Sequence, residues 1–231
     1  MKTRLAFLAA MMLGTGFSRA RAAAPADVPC GVTNEVAPAY PSREFHNGII
    51  AGRARLLLRV DPQGNLVDAL VAGYTLPGFA EAAMNAVKRW KFEPARIDGR
   101  PAFANLDVTF AFDVNRPLAT AVYGPRDESP VALANYQYGA VSASQLDQPL
   151  APLSTVAPAY PADWAQRGIK GSVVVEFYVD ETGRVRLPAI VSTDRPELGW
   201  IAVPAIEQWR FPPPTRHGQP VLVKAQQAFQ F

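Results

Sequence analysis

From Val173 to Asp180 the chain alternates. Val173, Val175, Phe177 and Val179 share one face, and Val174, Glu176, Tyr178 and Asp180 share the other. A period of two is that of a strand with one face buried. The pattern also stands 119 residues earlier, where Ala54, Leu56, Leu58 and Val60 point inward and Arg53, Arg55 and Arg59 outward. Both runs end in turn chemistry, Asp61-Pro62-Gln63-Gly64 and Asp180-Glu181-Thr182-Gly183, in which glycine supplies the positive φ of a tight reversal. A second strand over roughly Leu66 to Ala72, and again Val185 to Val191, completes a predicted hairpin. The period then lengthens: Phe79, Ala83, Ala86, Val87 and Trp90 line one side of a helix, and Leu198, Ala202, Ala205, Ile206 and Trp209 repeat the spacing. Pro204 interrupts the second stripe, so that helix is expected to start late, near Gly199 or Trp200, and to be shorter or kinked. Trp90-Lys91-Phe92-x-Pro94 and Trp209-Arg210-Phe211-x-Pro213 lead out of the helices. The last strands end at Phe110-Ala111-Phe112 and Phe229-Gln230-Phe231.

The chain therefore repeats itself. Ala37-Pro38-Ala39-Tyr40-Pro41 returns letter for letter as Ala157 to Pro161, and from Gly52 and Gly171 onward the copies stay in register. Solenoid units run about 20 to 50 residues, so a period this long makes each copy a folded domain, of about 75 to 80 residues. Each is predicted to be α+β: a short helix after the Tyr-Pro, two hairpin strands, a helix across the sheet and a final strand. That is a three-stranded antiparallel sheet packed against two helices. Trp90, Phe92, Trp209 and Phe211 are expected in the cores. The organisation reads as 24–35, a flexible N-terminal segment; 36–114, the first domain; 115–150, a linker marked by Pro117, Pro125, Pro130 and Pro149, with an extra strand allowed over Gln145 to Leu150; and 151–231, the second domain.

Residues 1–23 stand apart. Met1-Lys2-Thr3-Arg4, an apolar run from Leu5 to Phe17 and Ala20-Arg21-Ala22-Ala23 read as an export signal cleaved near Ala22 or Ala23. The run is shorter than the roughly 20 residues of a membrane span, so no integral span is expected in the mature chain, which is placed in the periplasm. Charge follows the leader. The chain has 23 Lys and Arg against 20 Asp and Glu, and the four basic residues of the leader leave 19 against 20, about −1. Composition gives no argument for nucleic acid or acidic lipid as a partner. Cys30 is the single cysteine, so no internal disulfide forms.

Catalytic chemistry finds little support. His46 and His217 are the only histidines; His-Glu-x-x-His, Gly-x-Ser-x-Gly and glycine-rich phosphate loops are absent. Asp61 and Asp180 recur at hairpin turns, where aspartate is a turn former. The expectation is a protein that is not an enzyme, with no catalytic residue, no metal and no cofactor.

Pro-x-Tyr-Pro, the hairpin Gly-x-Val-x-Val-x-Phe-x-Val-Asp-x-x-Gly over Gly171 to Gly183, Trp-Arg-Phe-x-Pro, Gly-x-Pro-Val and a terminal Phe-x-Phe, in that order, resemble the C-terminal domain of TonB-type energy transducers. The match covers Val156 to Phe231, and Val36 to Val114 is a more divergent copy in which Arg55-Leu56-Leu57-Leu58-Arg59 replaces the alternating valines. The resemblance implies binding of a short extended segment, the TonB box of outer-membrane receptors, as a strand added beside the last strand of the sheet. The candidate edges are then Val221 to Phe231 and Phe103 to Val114. The partner-binding residues are Ala157, Val221, Val223, Ala225, Gln227, Phe229 and Phe231, and the partner is a protein or peptide of the envelope. TonB itself has an uncleaved membrane anchor and a long proline-rich spacer, neither of which is read in this sequence. An alternative stays open: a scaffold whose two domains pair edge to edge, within the chain or as a dimer, with no open peptide site.

Overall fold

The computed structural model describes residues 27–97, 99–123 and 136–231. The expected leader and its cleavage site lie outside the described residues. In chain order the elements are β1 (Gly31–Asn34), α1 (Ser42–His46), β2 (Ala51–Val60), β3 (Leu66–Tyr74), α2 (Pro77–Val87), β4 (Lys91–Glu93), β5 (Ala95–Ile97), β6 (Arg100–Ala102) and β7 (Ala104–Asp113). There follow β8 (Arg116–Tyr123), β9 (Tyr138–Gly139), β10 (Val141–Ser142), a 3-10 turn (Ala143–Gln145), α3 (Ala162–Gln166), β11 (Ser172–Val179), β12 (Val185–Thr193), α4 (Pro196–Glu207), β13 (Thr215–Arg216), β14 (Gln219–Pro220) and β15 (Val223–Gln230).

The protein is α+β, with two similar domains. The first sheet has the order β8-β7-β2-β3-β9 and the second β10-β15-β11-β12. At the centre of each lie the three expected antiparallel strands, β7-β2-β3 and β15-β11-β12. The additional strands all come from the stretch read as linker. Gln145 to Leu150 forms none of them: its Asp147 carboxylate accepts the backbone N–H groups of His217 and Gly218, at 2.8 and 2.9 Å, and is held as a loop.

Each domain has its own core. Ala54, Leu56, Leu58 and Val60 meet Phe79, Ala83, Val87 and Trp90 in the first, and Val173, Val175, Phe177 and Val179 meet Leu198, Ala202, Ile206 and Trp209 in the second. The two predicted faces are thus the ones buried, each large side chain contributing about 1.5–3 kcal/mol. The hairpin glycines are required sterically. Gly183 has φ 83, and a Cβ there would stand 2.0 Å from the Phe211 carbonyl oxygen.

Three expectations change. First, α4 neither starts late nor is shorter: it runs from Pro196 through Pro204 and has 12 residues against 11 in α2. Proline inside a helix costs about 3 kcal/mol. Burial of Leu198, Ala202 and Ile206 outweighs that, and Trp200, whose carbonyl the Pro204 ring crowds, is on the solvent side where the turn can relax. Second, the described part of the N-terminal segment is pinned rather than flexible. β1 pairs with β4, and Val28 exchanges both backbone hydrogen bonds with Arg96 at 2.9 and 2.8 Å. Cys30 leans on the first core, and this burial raises its thiol pKa.

Third, the sheet faces turned away from the helices are not solvent faces. They pack on each other through Leu57, Leu70 and Ala72 of the first domain and Tyr178, Leu187 and Leu222 of the second. Around this apolar contact Arg59 bonds Glu207 at 2.6 Å, Arg186 joins Asp68 to Asp180, and the Asn105 amide donates to the Leu187 carbonyl at 3.0 Å. Leu187 sits in a bulge, where Glu176 pairs with Ala189 but Tyr178 with Arg186, and it has φ 49. A left-handed leucine costs on the order of 1 kcal/mol, offset here by burial between the sheets. Among the described residues no long strand of one sheet pairs with the other, so the domains meet by faces and not edge to edge.

Candidate functional site at the edge of the second sheet

The two final strands differ on their outer sides. β7 is covered by β8, antiparallel, from Val108 opposite Tyr123 to Asp113 opposite Arg116. The first candidate edge, Phe103 to Val114, is therefore covered over Val108 to Asp113. β15 is covered only at its start, where β10 pairs in parallel with Val223 and Lys224. Among the described residues nothing pairs with the outer side of 225–230.

Alternation fixes which backbone groups face outward. Phe231 exchanges N–H and C=O bonds with Gly171 toward β11, so the N–H and C=O groups of Gln226, Ala228 and Gln230 point the other way. The Gln227 side-chain amide donates to the Ala228 carbonyl at 2.7 Å. This stretch has no proline and keeps an unbroken register against β11. The other edges are blunted: β12 carries Pro188 and the Leu187 bulge, and β3 has two register breaks and an ion-paired Asp68.

The side chains differ accordingly. In the first domain Val108, Phe110 and Phe112 are 0, 0 and 3% exposed, with Ala119 of β8 buried beside them. Their counterparts Gln227, Phe229 and Phe231 are only half-buried. Phe231 stacks on Tyr160 with ring centroids 5.6 Å apart, and Phe229 meets Trp209 edge-on at 5.9 Å. The Trp209 indole N–H donates to the Val156 carbonyl at 2.9 Å, and the Tyr160 hydroxyl donates to the Ile169 carbonyl. These bonds fix the segment around Ala157, itself exposed, as a wall of the site.

Of the expected partner-binding residues, Ala225, Gln227, Phe229 and Phe231 line the open half of β15. Val223 lies under β10, and Val221 precedes the strand with its N–H on the Pro214 carbonyl at 2.9 Å. Sequence reasoning passed over Gln226, Ala228 and Gln230, whose backbone carries the open groups, and the flanking Tyr160. Counting by two back from Gln230, the position before Phe231, finds the first three. Where the chain crosses between sheets, a cavity of about 400 Å³ is lined by Arg55, Ser142, Glu176 and Lys224. Its charges are already paired, Arg55 with Asp107 at 2.6 Å and Lys224 with Glu176 at 3.3 Å. No helix among the described residues is long and apolar enough to cross a membrane.

The fold and this edge define a tandem pair of small sheet-and-helix modules, one closed along its final strand and one open. A family model described as Gram-negative bacterial TonB protein C-terminal matches residues 36–114 and again residues 156–231. The chain belongs to the TonB C-terminal family, twice over. It is 34% identical over 77 residues to the protein TonB of Vibrio cholerae serotype O1, a stretch that is 33% of this chain and 32% of that protein. The match thus spans about a third of the relative's length. The solution NMR structure of the Pseudomonas aeruginosa TonB C-terminal domain is 28% identical, with a TM-score of 0.33, covering 39% of this chain and 91% of that one.

Proposed function

We propose that this is an exported TonB-like envelope protein of the periplasm whose second domain binds extended peptide segments by strand addition along 225–230, while the first domain is its support. The observation that carries the reading is the contrast between the covered edge of β7 and the open edge of β15. An added strand would take the outward groups of Gln226, Ala228 and Gln230 and cover the half-buried Phe229 and Phe231, the union of backbone pairing and side-chain pockets on which strand addition rests. The partner is a segment of an envelope protein, with a TonB-dependent receptor the leading candidate by family membership.

The test is binding of labelled extended peptides, TonB-box segments included, to the full chain and to its Ala228→Pro variant. Ala228 directs its N–H outward on an edge strand, the position where proline is tolerated. Strand addition predicts at least a tenfold loss of affinity in the variant with an unchanged far-UV spectrum. Equal binding by both proteins refutes it.

A further inference from the structure

We infer that the open edge of the second domain selects an antiparallel segment of the pattern small-x-small-x-aromatic, because the first domain holds such a segment, its own β8, in the equivalent groove. The inference rests on the proposed strand addition and deepens it by naming the ligand.

The two grooves are built alike. Trp90 donates its indole N–H to the Val36 carbonyl at 2.9 Å as Trp209 does to Val156 at 2.9 Å. The Tyr40 hydroxyl bonds the Ile49 carbonyl as that of Tyr160 bonds Ile169. In the first domain β8 runs between β7 and this wall, and the Ala119 N–H donates to the Pro38 carbonyl at 3.1 Å. The segment is thus anchored on both sides.

Its residues divide by face. Ala121 lies opposite Phe110 and Tyr123 opposite Val108. Ala119 and Ala121 join the helix-side core, and the Tyr123 ring packs 6.1 Å from Trp90. Thr120 and Val122 take the other face, opposite Ala111 and Thr109. Val114 bonds inward to Ile50, so the pairs Thr109 with Val122 and Ala111 with Thr120 are the ones that exchange backbone hydrogen bonds. Phe110 is fully buried with Ala121 opposite it, so a small side chain completes the packing there.

Carried to the second domain, the small residues fall over Phe231 and Phe229 and the aromatic over Gln227 beside Trp209. One difference sets selectivity. The Tyr123 hydroxyl donates to the Glu35 carboxylate, but the residue at that place in the second wall is Thr155. A neutral wall does not require the phenol, so the open groove accepts phenylalanine as readily as tyrosine.

The test uses fluorescent peptides of the sequence of residues 116–123 against the full chain. Four changes to the peptide are compared: reversal of the sequence, Ala121→Leu, Tyr123→Ala, and N-methylation of Val122, which removes a pairing N–H without touching the protein. Each is expected to weaken binding tenfold or more, whereas Tyr123→Phe changes it less than threefold, and Ala228→Pro in the protein abolishes it. If the N-methylated peptide binds weakly while the reversed and Ala121→Leu peptides bind as well as the parent, strand addition stands and the selectivity is refuted. The selectivity is equally refuted if TonB-box peptides bind and the 116–123 peptide does not. If no extended peptide binds, or if N-methylation has no effect, the strand-addition reading itself falls.

Discussion

Leu57 and Leu187 stand in one apolar cluster between the sheets, 8 and 3% exposed, and truncating them tests whether the two domains form one thermodynamic unit. Leu57→Ala removes three methylene equivalents at about 0.8 kcal/mol each, and the cavity adds to that. Because two sheets can close part of the gap, we expect about 2.5–3.5 kcal/mol for each single variant. At roughly 2–4 °C per kcal/mol for a chain of this size, the melting temperature falls by about 6–12 °C. The double variant should lose less than the sum, by about 1 kcal/mol, since the second truncation opens onto a space the first has already created. Urea unfolding followed by tryptophan fluorescence provides the cycle. Trp90 is the one tryptophan of the first domain, whereas Trp164, Trp200 and Trp209 belong to the second. In a Trp90→Phe background the signal comes from the second domain alone, yet Leu57→Ala in the first must still shift it. Additivity within about 0.3 kcal/mol, or a second-domain transition indifferent to Leu57→Ala, refutes the face-to-face packing as an energetic coupling.

Gly183→Ala should destabilise by more than about 2 kcal/mol in chemical denaturation, because a Cβ there meets the Phe211 carbonyl in a left-handed backbone; a loss under 0.5 kcal/mol contradicts the close approach. Burial works against the charge of Asp180, but the Thr182 hydroxyl, the Arg184 and Thr182 N–H groups and the Arg186 guanidinium together hold its pKa below the ordinary value. A depressed pKa gives stability that is present above about pH 4 and lost as pH falls through the folded-state value. Asp180→Asn should therefore flatten the acid side of the stability profile below about pH 4, and an unchanged slope there counts against the cluster. Ala121→Asp places a charge against the first core and should release β8, raising the stoichiometry of the 116–123 peptide from one to two per chain in calorimetry. An unchanged stoichiometry, with β8 amides still protected from exchange, shows that β8 is a fixed part of the first sheet.

Much of the architecture was legible because each core writes its own period. Leu56 and Leu58 against Phe79 and Trp90, and Val175 and Phe177 against Leu198 and Trp209, are burials within one domain, and both copies display them. The run Arg55-Leu56-Leu57-Leu58-Arg59 was legible only as a departure from the valine pattern. Leu57 obeys a second constraint, the opposing sheet, which no local periodicity announces. Leu187 was hidden for the same reason, inside a bulge that shifts register. Arg116 to Tyr123, the strand β8, reads in sequence as linker because it holds a proline and two alanines and lacks strong alternation. Its small residues reflect the tight space over Phe110, a property of the groove and not of the strand. At the site, the side chains facing the core were named from the sequence, while the outward backbone groups depended on which edge was left uncovered.

Tyr138 and Gly139 pair with β3, and Val141 and Ser142 pair with β15, with Ala140 between them donating to the Ala72 carbonyl at 3.0 Å. Five consecutive residues are thereby stitched into both sheets. A tug on a strand lying along 225–230 loads its hydrogen bonds in shear, and the load leaves β15 through Val223 and Lys224 into this stitch and on to β3. The short crossing is thus a mechanical shackle between the second domain and the first.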